Sequence, residues 1–305
     1  MYKFLFLGRY RYGVALFALL TLLVTGCESG QSDAEKAAIE AGRKNVDAMS
    51  QEHAADTSEP SPAASIEPAK AVISQPMPYT ELKDQLVYGY FSAPADMFEP
   101  LPAVIMIHEW WGLNDNIRAM ADRLAGEGYI VFAVDLFGGK VASTPAEARI
   151  LMMDAVENPE AVADNIRAAF DFVSATAGAP RVGTLGWCFG GGISLKAAQL
   201  FPEQLDATVI YYGQTTSDDA LLEPIQAPIL GLFGADDAGI KVESVEGFRD
   251  ALQRLDKNYD VHIYPGVGHA FANPTGRNYN TQAAEDAWQR TLKFLELHLA
   301  IRTTS

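Results

Sequence analysis

The fold is decided by Gly183-Thr-Leu-Gly-Trp-Cys-Phe-Gly-Gly-Gly192, where an apolar run passes directly into closely spaced glycines. Its centre, Gly186-Trp-Cys-Phe-Gly190, has the spacing of a nucleophile elbow with cysteine where serine is usual. Glycines on both flanks let backbone pass close to backbone, and the apex side chain then points out above the sheet edge. The pattern predicts a buried strand, a sharp turn and a helix, with Cys188 presented to a substrate. Alternatively, Cys188 is a small buried hydrophobe, as free cysteines often are.

Two further loops carry the side chains that an elbow nucleophile requires, in the chain order nucleophile, acid, histidine. Asp237 follows the apolar run 227–233, and His269 lies in a Gly-rich loop after the run 261–264. Taken singly, the aspartate could cap a helix and the histidine could be solvated. All three positions follow predicted strands at the edge where open α/β sheets bind ligands. We therefore predict that Cys188, Asp237 and His269 are catalytic.

Apolar runs alternate with helical patterns from residue 76 to the end of the chain, which we interpret as one domain. The runs are 86–91, 103–107, 129–134, 181–185, 207–212, 228–233 and 260–264, and the helical patterns are near 114–127, 159–176, 191–201, 242–255 and 281–299. Strands that are apolar on both faces and separated by helices indicate an α/β fold. We expect a mostly parallel central sheet with helices on both faces.

A set of motifs spread over roughly residues 80 to 300 resembles the dienelactone hydrolase family of α/β-hydrolases. The motifs are His108-Glu-Trp-Trp-Gly112, Asp135-Leu-Phe-Gly138, Gly186-Trp-Cys-Phe-Gly-Gly191, Tyr211-Tyr-Gly213, Gly234-Ala-Asp-Asp237 and Pro265-Gly-Val-Gly-His-Ala-Phe271. The resemblance implies the α/β-hydrolase fold, a Cys188, Asp237, His269 triad, and Glu109 as an extra acidic residue beside the thiol.

The chemistry of the predicted triad depends on forming a thiolate, the species that attacks a carbonyl carbon. A hydrogen-bonded His269 and the positive end of the following helix favour the thiolate, and Asp237 holds the ring in the required tautomer. Glu109 acts in the opposite direction, because a nearby carboxylate disfavours the thiolate. The resemblance implies that Glu109 restrains the resting thiol until substrate displaces it. The alternative is a buried acid paired with an arginine.

Backbone and aromatic groups complete the predicted site. Ester chemistry needs donors aimed at the developing oxyanion, and we expect them from the N–H groups of Phe189 and Trp110. The side chains of Trp110 and Trp111 could wall a lactone pocket or simply pack the loop onto the domain. We assign Trp111 and Tyr212 to substrate binding.

One departure from the family's pattern affects the expected substrate. The family has a serine after the histidine and, three residues later, an arginine that binds a substrate carboxylate; this chain has Ala270 and Asn273 there. Asparagine donates hydrogen bonds but carries no charge, and we assign Asn273 to substrate binding. Arg149 and Arg277 could replace the arginine, or they could be solvated surface residues.

The first 26 residues have the organisation of a signal peptide. Basic residues precede an apolar run at 13–24, which is shorter than the roughly 20 residues of a membrane-spanning helix. The run ends in Val24-Thr-Gly-Cys27, which resembles a bacterial lipobox. The resemblance implies cleavage before Cys27 and lipidation of that cysteine; an ordinary signal peptide with an incidental cysteine is the alternative.

Residues 27–75 are rich in Ala, Ser, Glu and Pro, and we interpret them as the lipidated cysteine and a disordered tether. Residues 33–53 could form a lone helix, but with few large apolar side chains it has no expected core to join. The prediction is an enzyme held to a membrane of the bacterial cell envelope, on the periplasmic side.

Charge and cysteine content restrict the partners. The formal net charge of −16 disfavours binding to phosphate backbones, so we predict no nucleic-acid partner, and it also argues against a basic patch on anionic lipids. Cys27 and Cys188 are the only two cysteines, so no disulfide is expected. The sequence lacks a zinc signature, and we predict neither metal nor cofactor.

These features predict a thiol-dependent hydrolase that cleaves a small ester or lactone through a Cys188 acyl-enzyme. Two alternatives stay open. One is an esterase or acyltransferase that acts on larger acyl substrates. The other is a noncatalytic envelope lipoprotein that keeps the fold as a scaffold.

Overall fold

The computed structural model describes residues 33–58, 66–82 and 85–301. The predicted signal peptide and Cys27 lie outside these residues. Among the described helices, none has the length and apolar character needed to cross a membrane.

The described strands form one eight-stranded sheet with the order β1-β2-β4-β3-β5-β6-β7-β8. The first strand pairs antiparallel with the second and the second antiparallel with the fourth, while every other pairing is parallel. The strands are β1 Val72–Leu82, β2 Gln85–Pro94, β3 Ala103–Ile107, β4 Ile130–Val134, β5 Val182–Trp187, β6 Ala207–Tyr211, β7 Ile229–Gly234 and β8 Tyr259–Tyr264. Every residue of β3 to β7 is buried, which requires cover on both faces of the sheet.

Helices connect the strands and supply this cover. They are α1 Asp33–Glu52, α2 Asp115–Ala125, α3 Pro145–Glu157, α4 Pro159–Asp171, α5 Phe189–Leu200, α6 Asp219–Leu222, α7 Val242–Arg254 and α8 Thr281–Leu299. A π-helical turn, Phe172–Thr176, extends α4. Several helices begin at residues that sequence alone marks as caps: the side chains of Asn114, Thr144 and Asn280 accept hydrogen bonds from the first turns of α2, α3 and α8.

The predicted α/β class and mostly parallel sheet are confirmed, and all seven predicted strands are present. Three elements were missed: β1, α3 and the short α6. The strand β1 was missed because most of its residues are exposed or half-buried and two are prolines, so it has no apolar run. It begins at Val72, which puts the predicted domain boundary at residue 76 inside a strand.

The expectation that residues 33–53 have no core to join is wrong. Val46 and Met49, on one face of α1, are almost completely buried and belong to the core of the domain. Two apolar residues one turn apart suffice because the domain presents a matching apolar surface. Around this contact Arg149, on α3, binds Asp47 at 2.6 Å, and Arg43 binds Glu157 at 2.8 Å.

Candidate active site

Cys188 occupies the sharp turn between β5 and α5. Its φ and ψ are 54° and −118°, a region that residues with a Cβ rarely adopt and that occurs at nucleophile elbows. The flanking glycines are required by sterics, since a Cβ at Gly186 would collide with the carbonyl of Gly190, and one at Gly190 with the carbonyl of Ile107. The turn therefore has the predicted geometry. Cys188 as a whole is 5 % exposed, more enclosed than a residue presented openly to substrate would be.

Asp237 and His269 meet at the same edge of the sheet, after β7 and β8. The Nδ1 of His269 donates to Oδ2 of Asp237 at 2.7 Å. The other carboxylate oxygen accepts from the N–H groups of Gly239 and Ile240 at 2.8 and 2.7 Å. With Nδ1 committed in this way, Nε2 is the ring atom available for proton transfer, and it is buried without a hydrogen bond to the described protein.

The pKa of His269 depends on Cys188 as well as on Asp237. Burial lowers the pKa of His269, but the negative charge of a Cys188 thiolate and the hydrogen bond to Asp237 outweigh it and raise the pKa well above its usual range. A negative charge at position 188 therefore favours the protonated imidazole of His269.

Glu109 lies in the same cluster, and burial raises its pKa to about 7, while the charge of His269 and a hydrogen bond from Tyr212 act in the opposite direction. Its carboxylate accepts from Asn273 Nδ2 at 2.6 Å and from the Tyr212 hydroxyl at 3.4 Å. Its described partners are thus an amide and a phenol, not the arginine that the alternative interpretation required. Burial also raises the pKa of Tyr212, and the charges of Glu109 and Cys188 raise it further.

The contacts of Asn273 change its assignment. Its Nδ2 donates to Glu109, and its Oδ1 accepts from both the backbone and the hydroxyl of Thr275 at 2.9 and 2.7 Å. These bonds occupy most of the side chain's capacity, so Asn273 supports Glu109 instead of presenting an amide to substrate. Arg149 binds Asp47, and Arg277 donates to the Glu52 carbonyl at 3.0 Å, so both arginines contact α1 and its end.

His108 organises the loop that carries the predicted oxyanion donor. Its Nδ1 donates to the Glu109 carbonyl at 2.6 Å and its Nε2 accepts from the N–H of Leu136 at 3.1 Å. Burial lowers the pKa of His108, which agrees with this neutral tautomer. Phe189, the other predicted donor, is the first residue of α5, where backbone N–H groups lack helical acceptors.

The aromatic candidates are all enclosed. Trp110 and Trp111 are 2 % and 1 % exposed, with ring centroids 4.9 Å apart, and Tyr212 is fully buried against His269 at 5.1 Å. Trp111 thus packs the loop. Tyr212 contacts His269, and Trp110 contacts His53, a residue of the turn after α1. Both aromatic side chains are therefore placed to line the site.

Sequence reasoning missed one pair of residues at this site. His53 follows α1, is 2 % exposed, and donates from Nδ1 to Oδ2 of Asp56 at 2.6 Å. Its ring lies 5.1 Å from that of His269 and 5.6 Å from that of Trp110, centroid to centroid. The three-residue spacing of histidine and aspartate after an apolar helix face was the available signal. This spacing has no structural meaning in a disordered tether, which is what the sequence predicts for the segment.

In the described part of the chain, no group of three or more His, Cys, Asp or Glu side chains is arranged to hold a metal ion.

The parallel sheet, the strained cysteine turn and the two loops after β7 and β8 define an α/β-hydrolase. The sequence model of the dienelactone hydrolase family matches residues 87–299. The chain belongs to the dienelactone hydrolase family.

Named relatives agree with this family assignment. A protein of Escherichia coli, named provisionally as a carboxymethylenebutenolidase, is 35% identical over 223 residues, covering 68% of this chain and 81% of its own. One from Saccharolobus solfataricus with the same provisional name is 33% identical over 233 residues, covering 64% and 89%. The crystal structure of a provisionally named dienelactone hydrolase from Klebsiella pneumoniae superimposes with a TM-score of 0.65 at 28% identity, covering 74% of this chain and 98% of the other.

Proposed function

We propose that this hydrolase is thiol-dependent and cleaves a small ester or lactone through an acyl-enzyme on Cys188. The observation that carries the proposal is the His269–Asp237 hydrogen bond of 2.7 Å, which leaves Nε2 of His269 for proton transfer with Cys188, a group whose charge acts on the pKa of this histidine. A nucleophile, a base and a group that orients the base are the parts that covalent acyl transfer requires.

Acylation begins with attack of the Cys188 thiolate on the ester carbonyl carbon, forming a carbon–sulfur bond. The backbone N–H groups of Phe189 and Trp110 are the proposed donors to the resulting oxyanion. His269 then gives its Nε2 proton to the departing alkoxide oxygen as the carbon–oxygen bond breaks. A thioester on Cys188 and a free hydroxyl group result, with His269 neutral.

Deacylation reverses these roles. His269 takes a proton from water as the water oxygen bonds to the thioester carbon, and the carbon–sulfur bond breaks to release the acid. The thiolate and the imidazolium are restored. Asp237 stays ionised throughout and holds the ring in one orientation, as the aspartate of such triads does.

The charges around the site favour an uncharged substrate. The charge of Asp56 raises the pKa of Glu109, so two acidic side chains lie within electrostatic range of each other at the site, where they would repel a substrate carboxylate. A buried carboxylate also needs a cationic partner. Arg149 binds Asp47 on α1, and Arg277 donates to the carbonyl of Glu52 at the end of α1. Both arginines are therefore engaged away from a substrate carboxylate. The carboxymethylenebutenolidase name of the relatives supports lactone hydrolysis in general. Because Arg149 and Arg277 are engaged elsewhere, we expect neutral lactones and esters to be preferred here.

The test is an activity panel with the full-length protein in detergent, using aryl esters, neutral lactones and dienelactone, with Cys188→Ala and His269→Ala as variants. Either substitution should lower kcat by several orders of magnitude without unfolding the protein. Full activity in either variant would remove the mechanism. A wild-type protein inactive on the whole panel would favour the scaffold alternative.

The proposed location is the periplasmic side of a bacterial membrane, held by a lipid on Cys27. The support is the Val24-Thr-Gly-Cys27 motif after a short apolar run. Mass spectrometry of the mature protein should find an acylated Cys27 at its N-terminus, and Cys27→Ala should release the protein from the membrane fraction. An unmodified N-terminus at another residue would contradict the lipid anchor.

A further inference from the structure

The turn after α1 brings a second histidine–aspartate pair to the active site. The His53 Nδ1 to Asp56 Oδ2 distance is 2.6 Å, against 2.7 Å for His269 and Asp237. Both imidazoles are almost fully buried, and in both the Nε2 atom makes no hydrogen bond to the described protein. The two pairs therefore share one arrangement: one ring nitrogen is held by a carboxylate and Nε2 remains for a further partner, which for His269 includes Cys188.

The two imidazoles are in contact. Their ring centroids lie 5.1 Å apart with the planes at 64°, and the His53 ring also packs 5.6 Å from that of Trp110, in the loop of the proposed oxyanion donor. His53 therefore contacts both the proposed base and the loop that carries the proposed oxyanion donor.

The position of His53 is held by packing. Val46 and Met49 anchor α1 in the core, and Arg277 donates to the carbonyl of Glu52, the residue immediately before His53. A side chain supported in this way has the fixed geometry that a catalytic group needs.

The hydrogen-bonding state of the His53 ring limits what it can bind. Because Nδ1 donates to Asp56, Nε2 of the neutral ring is an acceptor, and a buried acceptor is costly to leave unpaired. Its partner must supply an N–H or O–H group. A water molecule has two O–H groups, and the neutral Nε2 atoms of the two adjacent rings are two acceptors.

We propose that His53 is a further catalytic residue, which holds the water that hydrolyses the Cys188 acyl-enzyme. The water donates one O–H to His269 Nε2 and the other to His53 Nε2. His269 takes the first proton as the oxygen attacks the thioester carbon and the sulfur leaves as thiolate. The second hydrogen stays on the product acid. The inference rests on the acyl-enzyme proposed above and adds a residue to its second half-reaction.

Competition between water and methanol tests the role directly. Methanol has a single O–H group, whose proton His269 takes, so methanol cannot also donate a hydrogen bond to His53. The full-length protein is allowed to turn over 4-nitrophenyl acetate at a fixed methanol concentration, and the ratio of methyl acetate to acetate is measured. In His53→Ala this ratio should rise about tenfold, the effect of losing one hydrogen bond to water alone.

Two variants control for structural effects. His53→Gln keeps an acceptor oxygen and should bring the product ratio back toward that of the wild type; it also serves if His53→Ala does not fold. Arg149→Ala removes a half-exposed ion pair that contributes little to stability and leaves the contacts of Val46, Met49 and both imidazoles in place, so it should leave the ratio unchanged.

Three results would overturn the inference: an unchanged ratio in His53→Ala with both products reduced equally, a ratio that shifts as much in Arg149→Ala, or faster formation of both products when His53 is removed. The last would make His53 an obstruction. The acyl-enzyme proposal is judged separately by Cys188→Ala, which should abolish both products whatever His53 does.

Discussion

Asn273 and Glu109 are joined by a hydrogen bond of 2.6 Å from the amide Nδ2 to the carboxylate Oε2. The acid is buried, its pKa is raised to about 7, and it lies within electrostatic range of His269. Because Oδ1 of Asn273 accepts from Thr275, the amide is oriented so that its Nδ2 donates to Glu109, and this bond favours the charged form of the acid. The position implied to bind substrate in the family thus tunes an acid of the site in this chain.

Asn273→Ala should destabilise the protein, since it leaves a buried carboxyl without its shortest hydrogen bond. We expect a loss of about 1–3 kcal/mol in the free energy of unfolding, measured by urea denaturation. The pKa of Glu109 should rise further, because the lost bond favoured the charged form. Asn278→Ala, which removes an amide that donates to the His269 backbone carbonyl and not to a buried carboxyl, is the matched control and should cost less.

The raised pKa of Glu109 has a consequence for stability. Between pH 4.5 and about 7 the folded protein holds a proton that the unfolded chain releases, so this group makes stability fall as pH rises through that interval. Glu109→Gln cannot titrate at this position. Its free energy of unfolding should therefore rise by roughly 3 kcal/mol relative to that of the wild type as the pH increases from 4.5 to about 7. Unfolding measured across the interval checks this, with exposed Glu203→Gln as the control. A constant difference between Glu109→Gln and wild type would contradict the raised pKa.

Cys188→Ala should lower the pKa of His269, because the thiolate charge is a main cause of its elevation. NMR titration of the ring protons measures the change. His298, whose pKa burial lowers and which lies on α8, is an internal reference that should not move. An unchanged His269 would show that the thiol and the imidazole are not coupled.

Cys188→Ser is expected to be a poor substitute for the native enzyme. A serine hydroxyl does not ionise beside an imidazole as a thiol does, and the buried Glu109 further disfavours negative charge at that atom. We predict a kcat at least about a hundredfold lower on aryl esters. Comparable activity of the serine variant would show that ionisation of the nucleophile has little influence here.

Val46→Asp should detach α1 from the domain, since it places a charge at a fully buried contact. The expected result is faster proteolytic cleavage within α1, while the sheet domain keeps its circular dichroism spectrum. Leu297→Asp changes an apolar residue that is 67% exposed on α8 and should not accelerate cleavage. Equal protease resistance of Val46→Asp and wild type would contradict the packing of α1.

Most of the sheet and the Cys188, Asp237 and His269 positions could be predicted from sequence because their signals are local. A strand buried on both faces is an apolar run, and an elbow is a strand followed by glycines at fixed spacing. Loops at the carboxyl ends of neighbouring parallel strands must converge on one edge. The order of the motifs along the chain therefore determined which side chains meet, and the His269–Asp237 hydrogen bond follows that expectation.

Tertiary structure alone decided the contacts between segments that share no local pattern. The bond from Asn273 to Glu109 joins residues far apart in the chain, and nothing near either one indicates the other. The burial of Val46 and Met49 depends on a surface contributed by the domain, so an alanine-rich segment with few large apolar residues did not reveal its docking. His53 reached the active site for the same reason, since burial depends on what a residue packs against and not only on its neighbours in sequence.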